Sequence, residues 1–415
     1  MGLLSPKSLQ GFDRRVWVLF YGRVISATGF SIVMPFLSIY LYFDMGLPMS
    51  QVGLLFLGTA VAGAIGQMAG GEMADRLGRR PVMYISIGAR GFNFVLLSLV
   101  IAAFSDLLVI TVLLLISSFL GSLFEPASNA MVADLVGPGR RLEAYGLLRI
   151  GQNVGWTLGP LIGGILAVFS YSSLFLLSAL TSISVALIIY MLVPDPQRSE
   201  HGHDRFRLRD LRKVADNRIF LLFCIFALPL AIVLGQMSSV FAVFSKDTVG
   251  ISEIEIGYLY ALNGIMVVFL QLPMARYIAH FKMSYVLAAG ALMYAVGYLI
   301  VGWADSIWVL VLSMIITTLG ENTTSPSATN MVANMAPDNE RGRYMGISGL
   351  FHTFGWSLGP ACGGLLFDLF TGQPVALWAT IAGIASISAI GYAYIGRLAP
   401  DSYDRVITEP VQAKS

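Results

Sequence analysis

Long apolar runs closed by short polar segments recur along the whole chain, at about 16–43, 51–71, 82–104, 107–132, 143–169, 174–193, 219–244, 255–279, 284–303, 307–331, 344–370 and 376–396. Each is long enough to carry a helix across a hydrocarbon core that needs about 20 apolar residues. Barrel strands alternate apolar and polar positions, and these runs do not. The pattern therefore predicts an all-α integral membrane protein of twelve transmembrane helices. Composition agrees: 56% of the 415 residues are hydrophobic and 12% charged, against about 25% charged in soluble domains. A net charge of +2 gives no electrostatic ground for a nucleic-acid partner, and the partner that composition demands is the lipid bilayer. Cys224 and Cys362 both fall inside apolar runs and read as core filler rather than a disulfide, zinc or redox pair.

The placement of charge orients the spans. Alternate connections hold Lys7, Arg14 and Arg15; Arg76, Arg79 and Arg80; Arg140 and Arg141; Arg276 and Lys282; Arg341 and Arg343; and Arg397, Arg405 and Lys414. With seven more in 194–218, these make 22 of the 26 basic residues, whereas the opposite connections hold only Lys246. Positive charge collects on the cytoplasmic side, so both termini are expected in the cytoplasm of a multi-pass cell-membrane protein. The first apolar run is too long for a cleavable signal peptide, and no small-residue cleavage site follows it. Within 194–218, Phe206, Leu208, Leu211 and Val214 among arginines read as a basic amphipathic helix on the inner leaflet or as a solvated linker. His201, His203 and Asp204 there lack further ligands at zinc spacing, and no metal site is expected.

The connection at 194–218 divides the chain into an N-terminal six-helix bundle, 1–193, and a C-terminal one, 219–415. An offset of 200 aligns 125–166 with 325–366 without a gap, and 14 of the 42 positions are identical. Gly155-Trp156-x-Leu158-Gly159-Pro160-x-x-Gly163-Gly164 meets Gly355-Trp356-x-Leu358-Gly359-Pro360-x-x-Gly363-Gly364. The fourth and fifth spans thus correspond to the tenth and eleventh, and the fold expected is two pseudo-symmetric bundles in parallel orientation. Repeated membrane bundles are characteristic of secondary transporters, with a substrate site near the midplane. Gly151, Gly155, Gly159 and Gly163 recur every four residues, a row that lets a neighbouring helix approach closely, while Pro160 and Pro360 remove a backbone hydrogen bond.

On these residues the chain resembles the major facilitator superfamily, in particular its twelve-helix drug/proton antiporters. Gly71-x-x-x-Asp75-Arg76-x-Gly78-Arg79-Arg80 is similar to the family's loop between helices 2 and 3, Gly151-x-x-x-Gly155-x-x-x-Gly159-Pro160-x-x-Gly163-Gly164 to its antiporters' helix 5 motif, and Gly29 with Pro35 to a weaker third pattern. The resemblance implies that Asp75 docks on the opposite bundle and that the arginines pair with Asp134, latching the cytoplasmic gate; alternatively, Arg76, Arg79 and Arg80 serve only as topology determinants. The second copy, Ala275-Arg276-Tyr277-Ile278, lacks the acid and the glycine, which implies a one-sided latch. The family often carries a helix 4 arginine implicated in proton transfer. Ser117, four residues before Gly121, stands in that place.

Ionisable groups inside hydrocarbon are costly and mark cavities or partners. Five lie within the spans: Arg23, Arg90, Glu125, Arg149 and Glu321. Arg23, Arg90, Glu125 and Arg149 fall roughly 10 Å inside the cytoplasmic ends at 1.5 Å per residue, so Arg23, Glu125 and Arg149 form a candidate buried cluster, either functional or an ion pair holding helices together. Arg90 reads as a snorkelling side chain on a peripheral helix. Glu321, nearest the midplane, shares a face with Thr317, Thr318, Ser325 and Asn322 that would line a central cavity, as a proton carrier or as a protonated hydrogen-bond partner. Gln152, Asn153, Trp156, His352 and Trp356 complete the candidate cavity. Trp17, Trp303, Trp308 and Trp378 read as interfacial anchors.

Taken together, these features predict an alternating-access secondary transporter, most simply a proton-coupled exporter of small amphipathic compounds resembling multidrug efflux proteins. It would act as a monomer, without cofactors, on a small-molecule substrate. Same-fold transport of sugars, peptides or lipids, or a membrane sensor without transport, stay open. No nucleotide loop, metal-spaced His/Glu set or nucleophile motif is present, so no enzyme activity is expected.

Overall fold

The computed structural model describes residues 11–137, 140–194, 217–337 and 340–405. The linker's proposed amphipathic helix and its histidines lie outside them. The expected runs are helices: α1 (Arg14–Ile39, continued as a π turn to Asp44), α2 (Met49–Leu77), α3 (Arg79–Ala103), α4 (Leu107–Leu135), α5 (Arg141–Phe169), α6 (Tyr171–Leu192), α7 (Arg218–Leu234), the short α8 (Val240–Asp247), α9 (Glu253–Ile278), α10 (Met283–Val301), α11 (Ile307–Met335), α12 (Arg341–Leu369), α13 (Pro374–Leu398) and the single-turn α14 (Asp401–Asp404). Eleven helical spans among the described residues are long and apolar enough to cross a membrane. The eleventh expected span, α12, is also helical over 29 residues, but its glycines, His352 and Pro360 lower its mean hydropathy.

Local sequence accounts for the helix boundaries. The carboxylates of Asp13 and Asp106 and the Asn217 side-chain oxygen accept from the backbone N–H groups of Arg15 (2.8 Å), Val109 (2.9 Å) and Phe220 (3.1 Å), which satisfies donors left open at a helix start. Between α2 and α3 the chain turns at Gly78, whose φ of 99° is a conformation that side chains disfavour.

By contact the described residues form two units, those up to 194 with 238–264, and 217–237 with those from 265 to 405. In the first, α1 packs on α5 and α6, and α3 packs on α4 and α6; in the second, α7 packs on α12 and α13, and α10 on α11 and α13. The same order of neighbours in both units is the structural form of the sequence repeat. The glycine rows explain the tightest pairs. A Cβ on Gly155 would stand 2.5 Å from Ala27 Cβ on α1, and one on Gly359 would stand 2.7 Å from Gly235 Cα at the end of α7. Residues 238–264 belong to the first unit: Ser38 Oγ donates to the Ser239 carbonyl (3.4 Å), and a Cβ on Gly164 would meet the Glu253 carbonyl at 2.5 Å.

The two units close their helix ends differently. At the ends of α3 and α4, Arg79 pairs with Asp134. Asn334, the repeat partner of Asp134, instead donates to the Arg405 carbonyl (2.8 Å). Nearby, the fully buried Asp404 of α14 accepts from Ser284 N and Ser284 Oγ, each at 2.6 Å, and so caps α10. The C-terminal turn thereby does for the second unit what the arginine loop does for the first. Lys282 lies 2.8 Å from Asp401, and this pair holds the Asp401 carboxyl below its ordinary value and the Lys282 ammonium above its own.

Asp404→Ala should lower the melting temperature in detergent, at a cost of about 1–2 kcal/mol for the lost cap. The exposed Asp401–Lys282 pair should add only a small, salt-sensitive contribution. That contribution should be fully present at neutral pH and lost in acid, as pH falls below 3.8 through the lowered Asp401 value. A difference in melting temperature between Asp401→Asn and the unaltered chain that shrinks from pH 7 to pH 3 checks the sign.

Candidate functional site

Pro35, Pro126 and Pro160 lie inside α1, α4 and α5, and between these helices and α3 lies a cavity of about 210 Å³. Its polar and charged lining includes Arg23 and Ser26 from α1, Arg90 from α3, Ser118 and Glu125 from α4 and Gln152 from α5, with Phe30, Phe124 and Trp156 as aromatic walls. Arg23 Nη2 donates to Glu125 Oε1 at 2.6 Å. The pair is asymmetric: the Arg23 side chain is 13% exposed and that of Glu125 45%. Trp156 meets Phe30 edge-on, with ring centres 5.7 Å apart.

Two of the three members of the expected cluster come together. Arg149, three residues before Gln152 and seven before Trp156 and so on the same face of α5, is exposed and is not part of the cavity lining. Asn153 is half-buried, and its carbonyl accepts from Thr157 Oγ1 at 2.9 Å.

Arg90 corrects the sequence reading most. It is not a snorkelling residue. It lies about 17 Å into α3 at 1.5 Å per residue, because the helix begins at Arg79, and it is only 8% exposed. Its guanidinium stands over the faces of Phe30 (5.1 Å) and Phe94 (4.9 Å) and against Gly121 of α4. A Cβ on Gly121 would come within 2.7 Å of Arg90 Nη1, so this glycine makes the room. Where the family resemblance leads one to expect an arginine at Ser117, a guanidinium reaches the same helix from α3, against Gly121 about one turn further on. The available signal was the combination of an arginine deep in the third span with a glycine in the fourth.

At the motif loop, Arg79 pairs with Asp134, Arg76 lies 2.5 Å from Glu72, and Arg80 Nη2 donates to the Tyr190 carbonyl at 2.5 Å and stands 5.4 Å over the Tyr190 ring. Asp75 is exposed and Gly71 half-buried.

In the second unit, Thr317, Thr318 and Asn322 are buried. The stripe that should have lined a central cavity packs in part on α10, where a Cβ on Gly297 would meet Thr317 Cγ2 at 2.5 Å and one on Gly290 would meet Thr324 Cγ2 at 2.5 Å. Glu321 is half-buried, within electrostatic reach of the buried Tyr294 and Tyr298. Trp378 is fully buried and stacks on Tyr298 with ring centres 5.4 Å apart, so it is a packing residue, whereas Trp303 and Trp308 are exposed. His352 is exposed and Trp356 half-buried. Sequence reasoning missed a cluster at the opposite end of the first unit from Arg79. There Lys246 Nζ lies 2.5 Å from Glu253 Oε1, which also accepts from the Tyr171 hydroxyl at 3.0 Å.

A model of the Major Facilitator Superfamily matches residues 19–248 and 230–412. The chain belongs to this superfamily. It is 25% identical to a Na(+), Li(+), K(+)/H(+) antiporter of Planococcus maritimus over 85% of its own length and 89% of that protein. It is 24% identical to the quinolone resistance protein NorA of Staphylococcus aureus, over 90% and 96%. Among solved structures, a nucleoside transporter, NupG, superposes with a TM-score of 0.77 at 15% identity, covering 92% of this chain and 99% of that one. A peptide transporter, POT, in complex with sulfate superposes with a TM-score of 0.74 at 16% identity, covering 94% and 96%. These structures share the fold, and the chain is a membrane transporter, not an enzyme.

The Arg79–Asp134 contact should be worth about 1.5–3 kcal/mol as a charge-assisted hydrogen bond. Arg79→Gln and Asp134→Asn should each destabilise the protein, with the double variant no worse than the poorer single one, as read by thermal melting in detergent.

Proposed function

We propose that the protein is a proton-coupled exporter of small amphipathic compounds, working by alternating access in the cytoplasmic membrane with both termini inside. The observation that carries this reading is the Arg23–Glu125 pair in a cavity walled by aromatic rings. A half-exposed carboxylate held by a mostly buried guanidinium can exchange its partner for a proton or a substrate cation, because either neutralises it at little cost in a low-dielectric site. The aromatic walls suit lipophilic bodies rather than sugars. Two similar proteins, one named for quinolone resistance and one for cation/proton antiport, support the direction and the coupling. In this scheme Glu321 is a second proton carrier, Asp75 with the Arg79–Asp134 pair holds the cytoplasmic gate, and Gln152, Asn153, Trp156, His352 and Trp356 serve the substrate path. Monovalent cation/proton exchange is a second reading, favoured by the Planococcus relative.

In proteoliposomes with an imposed pH gradient, the unaltered protein should move lipophilic dyes against counterflowing protons. Glu125→Gln should reduce coupled transport at least tenfold, and Glu321→Gln should shift its pH dependence. Full activity in Glu125→Gln would remove the pair from the mechanism, and proton flux driven by sodium or potassium alone would establish the second reading.

A further inference from the structure

The charges around the first-unit cavity do not cancel. Arg23 and Glu125 neutralise each other at 2.6 Å, and Arg90 is the only other ionisable side chain in the lining. Among the described residues Arg90 has no hydrogen bond and no ion pair, and its Nε is buried without a partner. Its guanidinium stands against the Phe30 and Phe94 rings and Gly121. Ring faces attract a cation but accept none of its directed hydrogen bonds. A guanidinium is always charged, and its burial is costly unless a counter-charge satisfies it. A cation needed only for packing would pair within the bundle or snorkel to an interface, and Arg90 does neither. Arg23 adds a second buried, unpartnered Nε to the same lining.

We propose that Arg90 makes this cavity the receptor for an organic anion, so that the substrates include amphipathic molecules bearing a carboxylate or similar oxyanion beside an aromatic or aliphatic body. The guanidinium fork matches two oxyanion oxygens at once, while Phe30, Phe124 and Trp156 cover the apolar part. Gly121 is the second determinant, since the space it leaves is what lets the fork lie in the cavity. The inference rests on the transporter reading above and names the substrate class for that same cavity, but its test needs no proton coupling.

The measurement is calorimetric binding to the purified full chain in lipid nanodiscs, using three ligands with one body and three charges: 4-phenylbutyrate, 4-phenylbutanol and 4-phenylbutylamine. The acid should bind at least tenfold more tightly than the alcohol. Arg90→Met should bring acid and alcohol to equal affinity without weakening the alcohol, and Gly121→Ala should reduce the acid preference. Arg90→Lys, which keeps the charge but not the fork, should retain part of it. Equal affinities in the unaltered protein, a preference that survives Arg90→Met, or chloride binding with no discrimination among the three ligands would each overturn the proposal. If Arg90→Met does not fold, the unaltered protein and Gly121→Ala still decide the matter. Coupled dye transport in proteoliposomes is a separate readout: its absence sinks the exporter reading while leaving the anion result standing, and the reverse outcome sinks only the anion site.

Discussion

Everything in the first unit depends on how closely α5 can lie against α1. Membrane helices gain little from hydrophobic burial against one another, because lipid is as apolar as they are, so association rests on close packing. The row Gly151, Gly155, Gly159 and Gly163 supplies that packing, bringing the α5 backbone against Phe20, Ala27, Ser31 and Ile32. A consequence reaches the site: Gln152 and Trp156, interleaved with those glycines, are carried to the edge of the α1 contact and so into the cavity with Arg23, Ser26 and Phe30. The repeat builds the same contact in the second unit, where Gly355 and Gly359 admit Leu228, Ala231 and Gly235.

This constraint explains what could be read from the sequence. Long apolar runs, the glycine rows and the offset of 200 report one-dimensional regularities, and they led directly to the helices and to equivalent packing in both units. The Arg23–Glu125 pair was also legible, because two opposite charges at one depth in hydrocarbon have strong reason to meet. Arg149 shares depth and helix face with Gln152 and Trp156, yet it is exposed and outside the cavity lining, because neither depth nor face fixes where a long side chain ends. Glu321 and its polar neighbours were judged by their shared face, yet that face meets α10, whose Gly290 and Gly297 accept threonine methyls. Threonine hydroxyls inside a helix can satisfy themselves on their own backbone, as Thr317, Thr318 and Thr324 do on carbonyls three or four residues earlier, so a polar stripe need not mark water.

Arg90 was illegible for a related reason. Its burial depends on a missing side chain on a neighbouring helix, Gly121, a relation between two positions that neither reveals alone. Once both are placed, the absence of an arginine at Ser117 is no longer an absence of charge beside α4. The guanidinium approaches from α3 and ends in the same cavity as the ion pair.

The two halves thereby diverge where function would require it. They share helix order, glycine rows and prolines inside helices, which are conditions for folding in a bilayer. They differ in charge: the first unit gathers Arg23, Arg90 and Glu125 around one cavity and ties α3 to α4 with Arg79–Asp134, whereas the second has Asn334 in place of Asp134 and fastens α10 with Asp404 from the C-terminal turn. A buried carboxylate on two donors of one serine stabilises a helix start but has no mobile counter-charge to exchange. A guanidinium left over in a lined cavity can take one up. Since a charge inside hydrocarbon persists only where something offsets its cost, the unequal distribution gives the first unit the cationic cavity lining, while the second unit holds the carboxylate Glu321 within its spans.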